Sequence, residues 1–200
     1  MSVLFLAGIK MGDGQMVASG ILLSMCSMSV SRGRVCDKLS RERPQPGIFN
    51  IYIIGSILGQ FAVHIATLIV VRSWVLEYEP PLSVELDGPF EPSLLNTAMY
   101  LLQTVQEICT FAVNYQGRPF RESISENKGM YYGIIGCLAL AFCCATEFFP
   151  ELNQALHLVP MPDLFKFKIV VIMLADLVLC FGIERGFKYF FSDFKAKNIA

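Results

Sequence analysis

The 200 residues are 54% hydrophobic and only 16% charged, with 16 Phe, nine Met and a formal net charge of −1. A water-soluble domain of this size needs more surface charge, so the composition points to an integral membrane protein. The net charge says nothing about nucleic acid, and there is no basic cluster with interleaved aromatics to suggest it as a partner. Six of the seven Cys lie inside apolar runs, which reads as free, buried thiols rather than a secreted disulfide framework.

The opening Met1-Ser-Val-Leu-Phe-Leu-Ala-Gly8 is apolar, too short to span and without a basic leader. Residues 1–14 therefore read as the end of a truncated helix followed by a turn at Gly12-Asp13-Gly14. A first span is predicted over about 15–30, where Ser19, Gly20, Ser24 and Ser27 let another backbone approach closely or let the helix line a cavity. Arg32, Arg34, Lys38, Arg41 and Arg43 make the following loop basic, and Pro44 and Pro46 stop a helix from continuing. A second span, about 48–71, carries Gly55-Ser-Ile-Leu-Gly59, a close-packing pattern, and a stripe of Ser56, Gln60, His64 and Thr67 on one face. His64 reads first as a hydrogen-bonded packing residue, with a ligand or proton-relay role as the alternative.

An acidic, Pro-rich loop from Arg72 to Pro92 leads to the helix around which the chain is organised, about 93–115, with Ser93 placed to cap it. Asn96, Tyr100, Gln103, Glu107, Thr110 and Asn114 follow at steps of four, three, four, three and four, so they share one helical face. That face must turn to other helices or to a water-filled cavity, not to lipid. Spans four and five are predicted over about 130–148 and 165–183, the last with one buried acid, Asp176, and residues 186–200 form a tail. The fold class is thus all-α, with five transmembrane helices inside a membrane domain of residues 15–185. Lys and Arg concentrate in the loops after spans one and three and in the tail, which puts the C-terminus in the cytosol and the N-terminus on the opposite side.

Gln60, His64, Gln103, Gln106, Glu107 and Asp176 are the candidate functional residues, since ionisable and strongly polar groups inside a membrane need a role. Glu107 could coordinate a cation, relay a proton or receive a polar part of a substrate; a hydrogen bond to Gln60, His64 or Gln106 that locks helix packing is the structural alternative. Cys143 and Cys144 are adjacent and there is no Cys-x-x-Cys or His-x-x-x-His, so no metal site is expected. No nucleotide loop is present, and Asp37-Lys38 is not followed by Thr-Gly-Thr.

Several strings together resemble one family: Ser2-Val-Leu-Phe-Leu-Ala-Gly-Ile-Lys-Met-Gly-Asp13, Leu39-Ser-Arg-Glu-Arg-Pro44, Ile48-Phe-Asn-Ile-Tyr52 and Gly59-Gln-Phe-Ala-Val-His64. Phe90-Glu-Pro-Ser-Leu-Leu-Asn-Thr97, Thr110-Phe-Ala-Val-Asn-Tyr-Gln-Gly-Arg-Pro-Phe120 and Glu126-Asn-Lys128 continue the series. In order and over nearly the whole chain, they resemble the C-terminal membrane half of a type V-A P-type ATPase, the endoplasmic reticulum transmembrane-helix dislocase. The resemblance implies the last five membrane helices of such an ATPase, a lumenal N-terminus and a partner in the missing N-terminal half. It implies a full-length enzyme that uses ATP and Mg to remove mis-inserted transmembrane helices, while this chain holds no cofactor and supplies support helices and part of the substrate cavity. By the same resemblance Gln15, Ser19, Gly20, Leu23 and Ser24 become cavity-wall candidates. The chain departs from the family pattern at Gln15-Met16-Val17, where Gln-Ala-Thr is usual, and at Glu107, where Gln is usual. A small membrane adaptor or subunit, and a cation or proton transporter built on Glu107, His64 and Asp176, are the alternatives.

Overall fold

The computed structural model describes residues 10–36, 47–79 and 90–192. The readings of residues 1–9, of the basic stretch 37–46, of the acidic loop 80–89 and of the tail beyond 192 lie outside the described residues. Among those described there are six helices and no strand: α1 Asp13–Ser31, α2 Ile51–Tyr78, α3 Leu94–Asn114, α4 Lys128–Ala145, α5 Pro150–Ala155 and α6 Asp163–Phe191.

Local chemistry sets the helix starts. Asn50 accepts the Ile53 N–H at 2.7 Å, Ser93 accepts that of Asn96 at 3.1 Å, and Asn127 accepts that of Met130 at 3.1 Å. Each satisfies one of the donors that a first helical turn leaves over. Ser93 is the cap the sequence predicts. Asn50 moves the start of α2 to Ile51, three residues past the expected Ile48. Two ends differ more, and one expected loop holds a helix. Helix α2 runs seven residues past the expected 71, because Trp74 and Tyr78 pack against α6: Lys168 sits over both rings, and Tyr78 meets Phe165 edge-on. Helix α6 runs to Phe191, eight residues past the expected end, because Ile183 and Phe187 close on α2. The stretch expected as a loop between the last two spans contains α5, with Pro150 in its first turn, where a missing N–H costs nothing.

Helix α3 is the core of the bundle. Fifteen of its 21 residues are buried, against two of 19 in α1. It packs on α1, α2, α4 and α6, whereas α1 packs on α3 and α4, and α2 on α3 and α6. The main apolar cluster lies where α3 meets α2, α4 and α6, with Val71, Leu101, Leu102, Val105, Phe165 and Ile169 at its centre. Helices α1, α2 and α4 are long and apolar enough to cross a membrane by length and composition. Helices α3 and α6, at 21 and 29 residues, have the length as well, but polar residues in the first and charged residues in the second, Lys166, Lys168, Asp176, Glu184 and Arg185, lower their apolarity. Large apolar side chains such as Val17, Leu58, Phe61 and Val178 face outward, as in a chain whose solvent is lipid.

The paired glycines of α2 explain its close fit to α6. A Cβ on Gly55 would run into the Phe187 ring, and one on Gly59 would lie 2.8 Å from Ile183. Gly55→Ala should therefore destabilise the bundle by about 1–3 kcal/mol through overpacking. The loss should be smaller in a Phe187→Ala background than in the wild type, as a double-mutant cycle of thermal unfolding in detergent would read out.

Candidate functional site

Three stripes of polar residues meet where α2, α3 and α6 pack. On α2 they are Tyr52, Ser56, Gln60, His64 and Thr67; on α3, Gln106 and Asn114; on α6, Asp176, Cys180 and Glu184. Steps of three or four on α2 and α6, and of eight, about two turns, on α3, keep each set on one side of its helix.

Asp176 is the centre of this seam and is fully buried. His64 Nδ1 lies 2.7 Å from its Oδ1 and 2.8 Å from its Oδ2. Gln106 Nε2 donates to Oδ2 at 3.3 Å, and Thr67 Oγ1 approaches it at 3.4 Å. Gln106 also donates to Thr67 Oγ1 at 3.0 Å and to the His64 carbonyl at 3.1 Å. One carboxylate thus gathers donors from two other helices. A buried carboxylate without such donors would carry a desolvation cost of several kcal/mol.

Further along the seam, Gln60 and Asn114 exchange amide hydrogen bonds at 3.2 and 3.1 Å, and Gln60 donates to Ser56 Oγ at 2.9 Å. Ser56 and Tyr52 both donate to the Glu184 carboxylate, and Gln116 Nε2 donates to the Tyr52 hydroxyl at 2.9 Å. The seam therefore joins His64, Gln106 and Asp176 at one point and includes Gln60 at another.

Glu107 and Gln103 stand apart from it. They are half-buried, and Gln103 Nε2 donates to Glu107 Oε1 at 3.2 Å. Gln60, His64 and Gln106, the partners considered for Glu107, bond elsewhere. Glu184 and Cys180 were not singled out by sequence reasoning; the unbroken step of four from Asp176 to Cys180 to Glu184 is the signal that marks them.

The cavity-wall candidates on α1 divide. Gln15 is fully buried and exchanges amide hydrogen bonds with Asn96 at 2.8 and 3.2 Å. It also donates to the Leu156 carbonyl at 3.1 Å and accepts the Gly12 N–H at 3.2 Å, so it ties α1 to α3 and to the end of α5. Ser19 is half-buried, while Gly20, Leu23 and Ser24 are exposed, and a Cβ on Gly20 would meet nothing within 4 Å. Two hollows adjoin α1. An apolar cavity of about 220 Å³ is lined by Ala18, Ile21, Leu22, Tyr100, Thr104 and Leu140. An open cleft of about 730 Å³ lies between the end of α1, the start of α2 and the end of α3, and is lined by Val30, Tyr52, Thr110, Asn114, Tyr115 and Arg121.

Outside the helices, the segments after α1 and α3 are clipped together. Val35 and Arg121 form an isolated antiparallel bridge, with the Cys36 N–H on the Phe120 carbonyl at 3.3 Å and the Glu122 N–H on the Arg34 carbonyl at 3.0 Å. Asn127 Nδ2 donates to the Ser29 carbonyl at 3.0 Å. The Arg118 guanidinium pairs with Glu126, and Ser123 gives that carboxylate its N–H at 2.7 Å and its hydroxyl at 3.0 Å. Arg118 first and Ser123 second hold the Glu126 carboxyl at about 2, down from the ordinary 4.5.

Two outcomes follow from this geometry. His64→Leu strips Asp176 of its nearest donor and should cost about 3–5 kcal/mol, while Asp176→Asn, which leaves no uncompensated charge, should cost less; unfolding in detergent ranks them. Because the folded-state value of Glu126 is depressed, its stabilisation is fully present above 4.5 and is lost as pH falls toward about 2. Protection of the Cys36 and Glu122 amides, relative to the intrinsic exchange rate at each pH, should fall across that window, and Glu126→Gln should flatten that fall.

No protein-family model matches the chain. Among curated proteins, it is 56% identical over 201 residues to the endoplasmic reticulum transmembrane helix translocase of Aspergillus fumigatus, covering 100% of this chain and 15% of that protein. It is 53% identical over 201 residues to the protein of the same name from Saccharomyces cerevisiae, covering 100% of this chain and 16% of that protein. It is 36% identical over 191 residues to an Arabidopsis thaliana protein named a probable manganese-transporting ATPase, covering 96% of this chain and 16% of that protein. The chain spans about 15% of the length of the first of these relatives. Matched end to end at 53–56% identity, it belongs to the family of endoplasmic reticulum transmembrane helix translocases, the type V-A P-type ATPases.

Proposed function

We propose that this chain is the C-terminal membrane part of an ATP-driven translocase that extracts mis-inserted transmembrane helices from the endoplasmic reticulum membrane. The observation that carries this reading is the end-to-end match to proteins named for that activity. In this reading α1, α2, α3, α4 and α6 cross the bilayer. The core position of α3 supports its inclusion: fifteen of its 21 residues are buried against the other helices, Asn96, Tyr100, Thr104 and Gln106 among them.

The same reading puts the N-terminus in the lumen and the C-terminus in the cytosol. The clip joining Arg34, Arg118 and Arg121 supports it, because these cations collect at one end of the bundle. Helix α1 forms part of the substrate wall through Ser19, Gly20, Leu23 and Ser24, and Gln15 anchors that wall by its bonds to Asn96 and Leu156. The remaining helices act as its support. ATP and Mg do not fit this chain: its 200 residues hold no phosphorylation motif and no nucleotide loop, so hydrolysis belongs to the remainder of the longer protein.

A chimera tests the proposal. The matched segment of the yeast translocase is replaced by this chain, and ATP-dependent release of a mis-inserted helix from membranes is followed. Activity within about tenfold of the parent is expected. Gly20→Trp, at an open position, should lower extraction without lowering expression. A well-expressed chimera that hydrolyses ATP but extracts no helix would overturn the reading. Purified alone, the 200-residue chain should release no phosphate from ATP above a boiled control.

A further inference from the structure

The point where α2, α3 and α6 meet carries more chemistry than helix packing needs. His64, Asp176 and Cys180 each offer one metal-ligating atom, and these atoms all lie within 4.8 Å of one another. The Cys180 Sγ stands 3.9 Å from both ring nitrogens of His64. Asp176 and Cys180 are one turn apart on α6, both fully buried, with His64 facing them from α2. Cys109 of α3, also fully buried, packs against Cys180 and brings a second thiol to the cluster.

The charge balance needs a cation. Around Asp176 stand His64, Thr67 and Gln106, and its one ion-pair partner among the described residues is His64. In the first two turns of α6, Lys166 pairs with Glu147 and Asp163, and Lys168 with Glu77. A single proton shared by imidazole and carboxylate is one way to balance the site. A divalent ion is the other. Its two positive charges would match one carboxylate and one thiolate, leaving a neutral site in a medium of low dielectric constant.

We propose that His64, Asp176 and Cys180 form a binding site for a zinc-class divalent metal ion. Imidazole, thiolate and carboxylate are the donors such ions take, whereas manganese, magnesium and calcium favour oxygen alone. Binding releases the Cys180 thiol proton and any proton that makes the imidazole cationic, so the metal exchanges for protons and no redox step is involved. Thr67 and Gln106, on Oδ2 at 3.4 and 3.3 Å, orient the carboxylate from outside the ligand set. His64 keeps 15% of its side chain exposed, which gives the cluster an entrance. The same three residue types could instead make a nucleophilic thiol, but Cys180 is fully buried, so no substrate could reach its sulfur. The proposal stands independently of helix extraction.

Cobalt(II) titration of the chain in lipid nanodiscs is the test. The wild type should show a sulfur-to-cobalt charge-transfer band in the near ultraviolet and intense visible bands, both abolished by zinc. Cys180→Ser should remove at least half of the charge-transfer intensity, and His64→Gln should weaken binding at least about tenfold. Cys36→Ser and Cys143→Ser, at the partly exposed thiols, should leave the spectrum unchanged. Absence of the band in the wild type would mean that the pair shares only a proton, and would overturn the proposal. So would a band that survives Cys180→Ser and vanishes with Cys36→Ser. If Cys180→Ser loses native helicity, X-ray absorption of the zinc-loaded wild type decides: sulfur with nitrogen or oxygen around the metal upholds the site, and a shell of oxygen and nitrogen alone rejects it.

Discussion

A carboxylate fully buried among packed helices has no water to turn to, and Asp176 is such a group. Its oxygens must be satisfied by the protein, so they fix the rotation of three helices at once. Helix α2 has to present His64 and Thr67, and α3 has to present Gln106. The rest of the seam follows from that register. With His64 in place, the steps of four along α2 bring Gln60 to Asn114 and Ser56 to Glu184. The glycines at 55 and 59 then let α6 come close enough for these bonds to form. Polar satisfaction and close packing specify the same arrangement, which gives a sequence one structure rather than several.

The bundle is uneven in how firmly its parts are held. Helices α2, α3 and α6 share the seam and much of the main apolar cluster. Helix α1 shares neither to the same degree, with only Gln15 and Cys26 buried. Its place is set by bonds at its ends.

Much of this was legible in the sequence because the signals were periodic. Step-of-four spacing identified the stripe of α2 but only part of that of α3, where Asn96 and Asn114 bond to other helices and Gln103 and Glu107 do not; the close-packing glycines and the cap at Ser93 followed from local chemistry. Asp176 stood out as the acid in an apolar run. What the sequence could not show was pairing between helices. Glu107 shares a face with Asn114 and Gln103, but the local rotation of α3 carries it away from Asp176, while Gln106, one residue earlier, faces inward. Glu184 was hidden for another reason: a charged residue near the end of an apolar run looks like the start of a tail, and only its bonds to Tyr52 and Ser56 show that the helix continues. Gln15 likewise looked like a wall residue until its amide partner, 81 positions away, was known.

The attachment of α1 has a mechanical consequence. One end is fastened through Gln15, and the other through Ser29, whose carbonyl receives Asn127. Between them lie Gly20, with open space around it, and a serine at 24 whose hydroxyl bonds the Gly20 carbonyl at 2.7 Å, a contact that bends helices. A rod clamped at both tips and soft at its midpoint bows under a sideways push while its tips stay put. Such a beam yields most where Leu23 and Ser24 sit, and springs back when the push ends.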